Sequence, residues 1–185
     1  VSESDRLERI VADFLRLTRQ PGPEPVAVAM KPFLHDCCQQ LRHAERLQPL
    51  LRLSAEVADG TPSARVDPDH LRQVVVNLVT NAMQAIRTEV EPEIHIDARP
   101  GVLEDGRRAV ELRITDNGPG IPTAQHERVF TPFFSTKPQG TGLGLTVVQR
   151  LVRANEGVIS IERPAHGGTC IRVCMPAEEP REAGG

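Results

Sequence analysis

The chain has 185 residues, with 22 Lys and Arg against 25 Asp and Glu, and a net charge of −3 at neutral pH. This length predicts one domain with room for part of a second, and it allows a sizeable core. The mildly acidic balance argues against a general nucleic-acid binder, which needs a basic surface, and no apolar run approaches the ~20 residues of a membrane span. The four cysteines, two of them adjacent, do not form a disulfide framework, so we expect a reduced, cytoplasmic protein.

The first residues differ in character from the rest of the chain. The chain does not begin with Met, so we expect it to be a piece of a longer protein. Apolar residues in 2–19 recur at helical spacing, whereas the proline-rich stretch at 21–25 cannot continue a helix. We therefore expect residues 1–20 to belong to a neighbouring coiled or bundled element, with 21–25 as a linker.

From residue 26 onwards, helical and alternating patterns follow one another in mixed order. The predicted strands are 26–30, 51–57, 94–98, 110–114, 157–162 and 169–175, and the predicted helices are 32–47, 68–87 and 143–154. Asp67 followed by Pro68 is a helix start signal. This order predicts an α+β fold over residues 26–176, a two-layer sandwich with helices on one face of a mixed, mostly antiparallel sheet. The polar tail at 177–185 is predicted to be disordered.

Two asparagines stand out on the helix at 68–87. Its apolar arc consists of Leu71, Val74, Val75, Leu78, Ala82, Ala85 and Ile86. Asn77 and Asn81 are four residues apart beside this arc, although Asn is a mediocre helix former. One interpretation is an ordinary solvated polar face. The other is a pair of amide oxygens that bind a hard cation such as Mg²⁺.

A second candidate segment follows the strand at 110–114. Asp116-Asn117-Gly118-Pro119-Gly120 has the composition of an ordinary turn. It also suits recognition of a flat base, because a carboxylate accepts a hydrogen bond from an exocyclic amine such as that of adenine, and glycines let the backbone approach.

A third segment opens the helix at 143–154. Gly140, Gly142 and Gly144 alternate with Thr141 and Leu143, and a glycine-rich backbone at a helix N-terminus forms an anion site. The spacing excludes a dinucleotide-binding fingerprint, and the chain has neither a P-loop nor protein-kinase signatures.

The stretch between these glycine clusters holds Phe130, Phe133 and Phe134, followed by a polar run to Lys137. It is typical of a mobile flap anchored at one end, with Lys137 as the cation that could reach a terminal phosphate. The alternative is a core cluster of Phe side chains followed by a plain loop, and packing is expected for the Phe residues themselves.

Taken together in this order, the segments resemble the ATP-binding catalytic domain of bacterial sensor histidine kinases, in the GHKL superfamily with gyrase. The resembling boxes are HLRQVVVNLVTNAMQAI (N box), TDNGPGI (first glycine box), FTPFF (F box), GTGLGL (second glycine box) and the closing strand GGTCIRVCMP. The resemblance covers about residues 26–176, and FFSTKPQGTGLGL is most similar to the nitrogen-regulation branch. RLERIVADFLRLTR resembles the end of the second helix of the dimerisation and phosphotransfer domain.

The resemblance implies a role for each box. Asn77 and Asn81 would hold Mg²⁺ on the ATP phosphates, Asp116 would bind the adenine amine, and Lys137 would contact the phosphates. Asn77, Asn81 and Lys137 are thus the implied catalytic residues. The other implied ATP-binding residues are Gly118, Gly120, Ile121, Thr136, Gly140, Thr141, Gly142, Leu143, Gly144, Leu145 and Thr169.

The implied reaction is transfer of the ATP γ-phosphoryl group to a histidine on the dimerisation domain of the same protein, for relay to a response regulator. We expect this fragment to be monomeric and the full-length kinase to be a homodimer. The domain would be cytoplasmic even where the full-length kinase is membrane-tethered.

Some positions depart from the family pattern. The phosphoacceptor motif of the first bundle helix is missing, and His35-Asp36 and His126-Glu127 resemble it only superficially. Gln84 stands where a basic residue is common, and Ile171 where Phe is common. ATP-hydrolysing relatives carry Glu where Asn77 stands, and an amide is a poor general base, which favours phosphotransfer. The alternatives are a GHKL-type ATPase and a degenerate nucleotide-binding interaction module. Cys170 and Cys174 are interpreted as a structural thiol pair and not a zinc site.

Overall fold

The computed structural model describes residues 22–43, 51–86, 91–135, 141–165 and 167–179. Within these ranges the chain forms β1 (Val26–Val28), α1 (Met30–His43), β2 (Arg52–Val57), β3 (Ala64–Val66), α2 (Pro68–Ala85), β4 (Glu93–Val102), β5 (Arg108–Asp116), α3 (Gly144–Ala154), β6 (Val158–Glu162) and β7 (Thr169–Pro176). Two short 3₁₀ turns, Thr123–Gln125 and Arg128–Phe130, lie between β5 and α3.

Five of the strands form one sheet in the order β2-β4-β5-β7-β6. β2 and β4 are parallel, and the other neighbours in this sheet are antiparallel. β1 and β3 form a separate two-stranded antiparallel sheet. The predicted α+β fold with a mixed, mostly antiparallel sheet is therefore confirmed.

The core lies between one face of the sheet and the helices. Alternate residues of β4, β5 and β7 point into it, and Ile94, Ile96, Leu112 and Val173 are each at most 1% exposed. On α2 the predicted apolar arc is buried except for Ala85, and His70 and Val79 are buried as well. This packing fixes which way the polar face of α2, with Asn77 and Asn81, is turned.

The opposite face of the sheet is charged. Arg99 donates two hydrogen bonds to Glu111, of 3.0 and 2.6 Å, and Arg113 and Arg172 lie within 4 Å of the same carboxylate. Cys170 and Cys174 alternate with the core residues of β7 and so belong to this face, where both are buried.

Several predicted boundaries are wrong. The strand predicted at 26–30 ends at Val28, and Met30 already begins α1, because Pro32 is well tolerated in a first helical turn. β3 was not predicted, since three residues carry too little pattern. The ordered chain also continues past residue 176: the Ala177 N–H donates to the Arg108 carbonyl at 2.9 Å, and the Glu178 N–H donates to that of Ser63 at 2.8 Å.

The predictions for residues 1–20 and for the end of the tail lie outside the described residues. Among the helices that are described, none combines the length and the apolar character needed to cross a bilayer.

Candidate functional site

The helix that carries the two asparagines begins as the sequence predicts. Asp67 is the N-cap of α2, and its Oδ1 accepts hydrogen bonds from the N–H groups of Asp69 and His70, at 2.9 and 3.1 Å. Its Oδ2 accepts a third, from the Glu24 N–H at 3.0 Å. Burial raises the pKa of the Asp67 carboxyl, but the hydrogen bonds from these three N–H groups outweigh it and hold the pKa below its usual value. The start of α2, and with it the register of Asn77 and Asn81, is thus fixed.

Asp116 is the last residue of β5, and it is 9% exposed. It lies opposite Thr169, the first residue of β7. Its Oδ1 accepts hydrogen bonds from the Gly118 N–H at 2.8 Å and from the Thr169 N–H at 3.3 Å. The sheet register and these two hydrogen bonds hold the carboxylate at the end of the strand, where a buried acceptor can distinguish an amine from a carbonyl.

Glycines bring the backbone close around this carboxylate. A Cβ added at Gly118 would lie 2.9 Å from Asp116 Oδ1 and 3.6 Å from the backbone of Ala85 on α2. Gly168 has a φ of +80°, and a Cβ there would overlap the Asp116 carbonyl oxygen. A Cβ at Gly120 would in turn lie 2.8 Å from the Gly168 carbonyl oxygen. In the sequence, Gly168 is part of the closing box GGTCIRVCMP and has no predicted role in the site, although the structure requires glycine there.

The N-terminus of α3 faces α2. Its N-cap is Leu143, whose side chain has no acceptor, and the Val147 N–H donates the hydrogen bond that reaches the Leu143 carbonyl, at 2.9 Å. The N–H groups of the helical residues before Val147 have no acceptor within the helix, and such groups allow a helix N-terminus to bind an anion. A Cβ added at Gly144 would lie 3.2 Å from Nδ2 and 3.3 Å from Oδ1 of Asn81. Asn81 and this helix end are therefore in direct proximity.

The F box lies at the surface, contrary to the expected packing of its Phe side chains. Phe133 is 64% exposed, and Phe130 and Phe134 are half-buried. Phe133 has a φ of +64°, which is uncommon for a bulky residue, and its N–H donates to the Gly142 carbonyl at 3.1 Å. Gly142 has a φ of +68°, and a Cβ on it would overlap the Phe133 backbone. The F box is thus joined to the second glycine box through the backbone.

Most of the predicted site residues that the structure describes lie along one continuous path. It runs from Thr169 and Asp116 through Gly118 and Ala85 to Asn81 on α2, and from there to α3 and the F box. Asn77 is half-buried one turn before Asn81. Thr136, Lys137 and Gly140 lie outside the described residues.

The remaining predicted residues differ in what they expose. The Leu143 side chain is fully buried, so only its backbone can meet a ligand, whereas Leu145 is partly buried and packs against the core. Thr141 Oγ1 lies 3.4 Å from the Leu143 N–H. The Ile121 carbonyl lies 3.0 Å from His126 Nε2.

Asn117, which sequence reasoning treated as part of the turn, has a structural role. Its Oδ1 accepts from the Glu93 N–H at 3.0 Å, and its Nδ2 donates to the Glu91 carbonyl at 2.9 Å. The side chain therefore ties the end of β5 to the start of β4.

Comparison with known proteins agrees with this arrangement. Residues 66–179 match the family described as histidine kinase-, DNA gyrase B-, and HSP90-like ATPase. The chain belongs to this family. Its described domain is an ATP-binding domain of the histidine-kinase type, which confirms the resemblance of the boxes.

Relatives and solved structures point the same way. The chain is 32% identical to the sensor histidine kinase ZraS of Escherichia coli K12 over 97% of its own length, but it spans only 37% of that relative. It has the fold of the histidine kinase ThkA solved in complex with the response regulator protein TrrA, with a TM-score of 0.76, 23% identity, and coverage of 95% of this chain and 48% of that one. Full-length ShkA in complex with AMPPNP gives a TM-score of 0.74 at 23% identity, covering 95% and 37%.

Proposed function

We propose that this domain binds ATP together with Mg²⁺ and transfers the γ-phosphoryl group to a histidine on a helical dimerisation domain of the same protein. The observation that carries the proposal is that Asn81 of α2 lies beside Gly144 at the N-terminus of α3. The same helix α2 also approaches Gly118, which lies beside Asp116. One elongated site thus has a carboxylate at one end and an amide beside a helix N-terminus at the other. A purine nucleotide with a charged phosphate chain matches this polarity.

Each residue has a role in this proposal. Asp116 accepts a hydrogen bond from the adenine amine, with Gly118, Gly120, Ile121 and Thr169 around it. The backbone of residues 140–145 and the side chains of Thr136 and Lys137 bind the phosphates.

The side chains of Asn77 and Asn81 fit a magnesium ion. They lie four residues apart on one face of α2, both half-buried, and amide oxygens are hard donors that leave most of the coordination shell to water and phosphate. When bound, Mg²⁺ would neutralise charge on the phosphate oxygens. Asn77 and Asn81 would then hold the phosphate chain in a fixed position relative to α3.

The chemistry of phosphoryl transfer needs mainly positioning and charge neutralisation. A neutral imidazole nitrogen forms the new P–N bond while the bond between the γ-phosphorus and the bridging oxygen breaks, and ADP leaves. Asn77 does not activate water, because an amide is a poor general base. This favours an incoming histidine over hydrolysis as the use of the bound nucleotide.

The organisation of the longer protein follows from the same proposal. Residues 1–20 would be the end of the dimerisation and phosphotransfer helix, 21–25 a linker and the residues after 179 a tail. The domain alone would be monomeric and the full-length kinase a homodimer. A response regulator would receive the phosphoryl group, which is supported by the ThkA structure, whose partner is the response regulator protein TrrA.

Nucleotide titration tests the proposal. We expect ATP to bind more tightly with Mg²⁺ than without it, and radiolabelled phosphate to appear on a separately supplied helical domain bearing the acceptor histidine, but not on this chain. Steady-state ATP hydrolysis that Asn77→Ala abolishes would support the ATPase alternative. Failure to bind any adenine nucleotide would favour a degenerate interaction module.

A further inference from the structure

A buried polar cluster lies at the end of the α2–α3 pair that is remote from the candidate site. Asn155 is the C-cap of α3 and is 5% exposed, and His70 in the first turn of α2 is 8% exposed. Asn155 Oδ1 accepts a hydrogen bond from the Asp67 N–H at 2.9 Å. Its Nδ2 donates to the Leu151 carbonyl at 2.8 Å and lies 3.1 Å from His70 Nδ1. One amide therefore joins the start of α2 to the end of α3.

The hydrogen bonds determine the orientation of both side chains. The Asp67 N–H is a donor, so it must meet the oxygen of the Asn155 amide, which turns Nδ2 towards Leu151 and His70. Because Nδ2 is a donor only, His70 Nδ1 must be the acceptor in this hydrogen bond. All polar groups of the Asn155 side chain are then satisfied inside the protein, whereas loss of His70 would leave one buried N–H without an acceptor.

This cluster and the candidate site lie on the same helix–helix contact. His70 and Asn81 are eleven positions apart on α2, and Gly144 and the C-cap Asn155 of α3 are also eleven positions apart. Eleven residues make about three turns, or roughly 16 Å, so the two members of each helix face the same side. The two helices are thus antiparallel, with the hydrogen bonds of Asn155 at one end and Asn81 beside Gly144 at the other.

Apolar side chains fill the contact between these ends, and Val74, Val148 and Leu151 are each at most 1% exposed. Apolar packing is non-directional and does not by itself define how far one helix is shifted along the other. The hydrogen bonds of Asn155 are directional and do define it.

We propose that His70 and Asn155 are positioning residues that set the register of α3 against α2, and thereby the position of the Gly144 N-terminus relative to Asn81. The proposal rests on the proposed ATP-binding function. The two residues act only on the phosphate end of the site, which is formed by Asn81 and Gly144. The base end, formed by Asp116 and Thr169, is held by the sheet register and not by α3. Loss of the cluster should therefore weaken binding of the phosphates and leave binding of the base unchanged.

The test compares ATP with adenosine by calorimetry, in the presence of Mg²⁺, on the 185-residue chain. We expect His70→Leu to weaken ATP binding by about tenfold and adenosine binding by less than about twofold, since a buried donor loses its acceptor. His70→Gln can offer an amide oxygen to Asn155 Nδ2, so it should retain most of the ATP affinity. His43→Leu makes the same change at an exposed position of α1 and should bind both ligands like the unaltered chain.

The outcomes separate the two proposals. If the unaltered chain binds neither ligand, the proposed function fails, and the positioning role fails with it. If the unaltered chain binds both ligands but His70→Leu leaves the ratio of the two affinities unchanged, the positioning role alone is overturned. This holds whether both affinities stay the same or both fall by the same factor, and a purely structural role predicts the second case. If His70→Leu does not fold, Asn155→Ser, which is too short to reach His70, is measured in the same way and decides the matter.

Discussion

The two ends of the candidate site are built by different kinds of structure. At the base end, Asp116 and Thr169 face each other on neighbouring strands, and the carboxylate is held by two backbone N–H groups. At the phosphate end, Asn81 and Gly144 belong to two helices that meet through apolar packing and, about three turns away, through the hydrogen bonds of Asn155. A strand register changes only in whole residues, whereas packed helices can shift by fractions of an ångström. The base end should therefore be the rigid half and the phosphate end the adjustable half.

The largest expected effect comes from Gly168→Ala at the base end. The added Cβ would overlap the Asp116 carbonyl oxygen in a backbone with positive φ, so we expect a loss of about 3 kcal/mol in the free energy of unfolding, together with loss of adenosine binding. Thermal denaturation and calorimetry measure the two effects. Gly167→Ala is the matched control, because its φ is +89° but nothing lies within 4 Å of the added Cβ. Equal destabilisation by both substitutions would contradict the close approach at Gly168.

Asp116→Asn should have the next largest effect, on binding. The amide oxygen can still accept from Gly118 and Thr169, but the amide nitrogen would face the adenine amine with a donor. We expect roughly 10- to 100-fold weaker binding of adenosine and ATP alike, measured by calorimetry. A variant that loses ATP affinity but keeps adenosine affinity would place Asp116 at the wrong end of the ligand.

Asn81→Ala should weaken binding at the phosphate end and leave the base end unchanged. The substitution removes the amide beside the N-terminus of α3, so we expect about tenfold weaker binding of ATP with Mg²⁺ and unchanged binding of adenosine. The factor by which Mg²⁺ increases the affinity for ATP should also be smaller in this variant than in the unaltered chain. Adenosine serves as the internal control, and equal loss of both ligands would argue against separate ends.

Asp67→Asn should have the smallest effect, on stability and its pH dependence. The pKa of this carboxyl is lower in the folded chain, so its contribution to the free energy of unfolding is complete above about pH 4 and is lost as the pH falls through the folded pKa. Asn caps a helix about as well as Asp, but its amide nitrogen cannot accept from the Glu24 N–H and it carries no charge at the helix N-terminus. We therefore expect Asp67→Asn to cost roughly 0.5 kcal/mol at neutral pH and to flatten the decline in stability below pH 4. Denaturant titrations at several pH values measure this. Asp69→Asn removes the same charge in the same turn without touching the cap, and an equal loss there would contradict the role of Asp67.

The comparison of the two ends also shows what could be predicted from the sequence. The Asp67-Pro68 signal and the spacing of apolar residues in α2 predict its start and its buried face, because capping and amphipathicity are local properties. The exposure of Phe133 could not be predicted, since its positive φ depends on the Gly142 carbonyl nine residues away. Likewise, His70 and Asn155 carry no local signal, because they are far apart in sequence and meet only when α2 and α3 pack.

The most direct test of a single ATP site is amide NMR of the ¹⁵N-labelled chain during titration. With ATP and Mg²⁺, we predict that the resonances of Gly118, Thr169, Gly142 and Gly144 move together along one binding curve. With adenosine, only those of Gly118 and Thr169 should move. Separate binding curves for the two pairs, or a response confined to one pair during the ATP titration, would contradict the account.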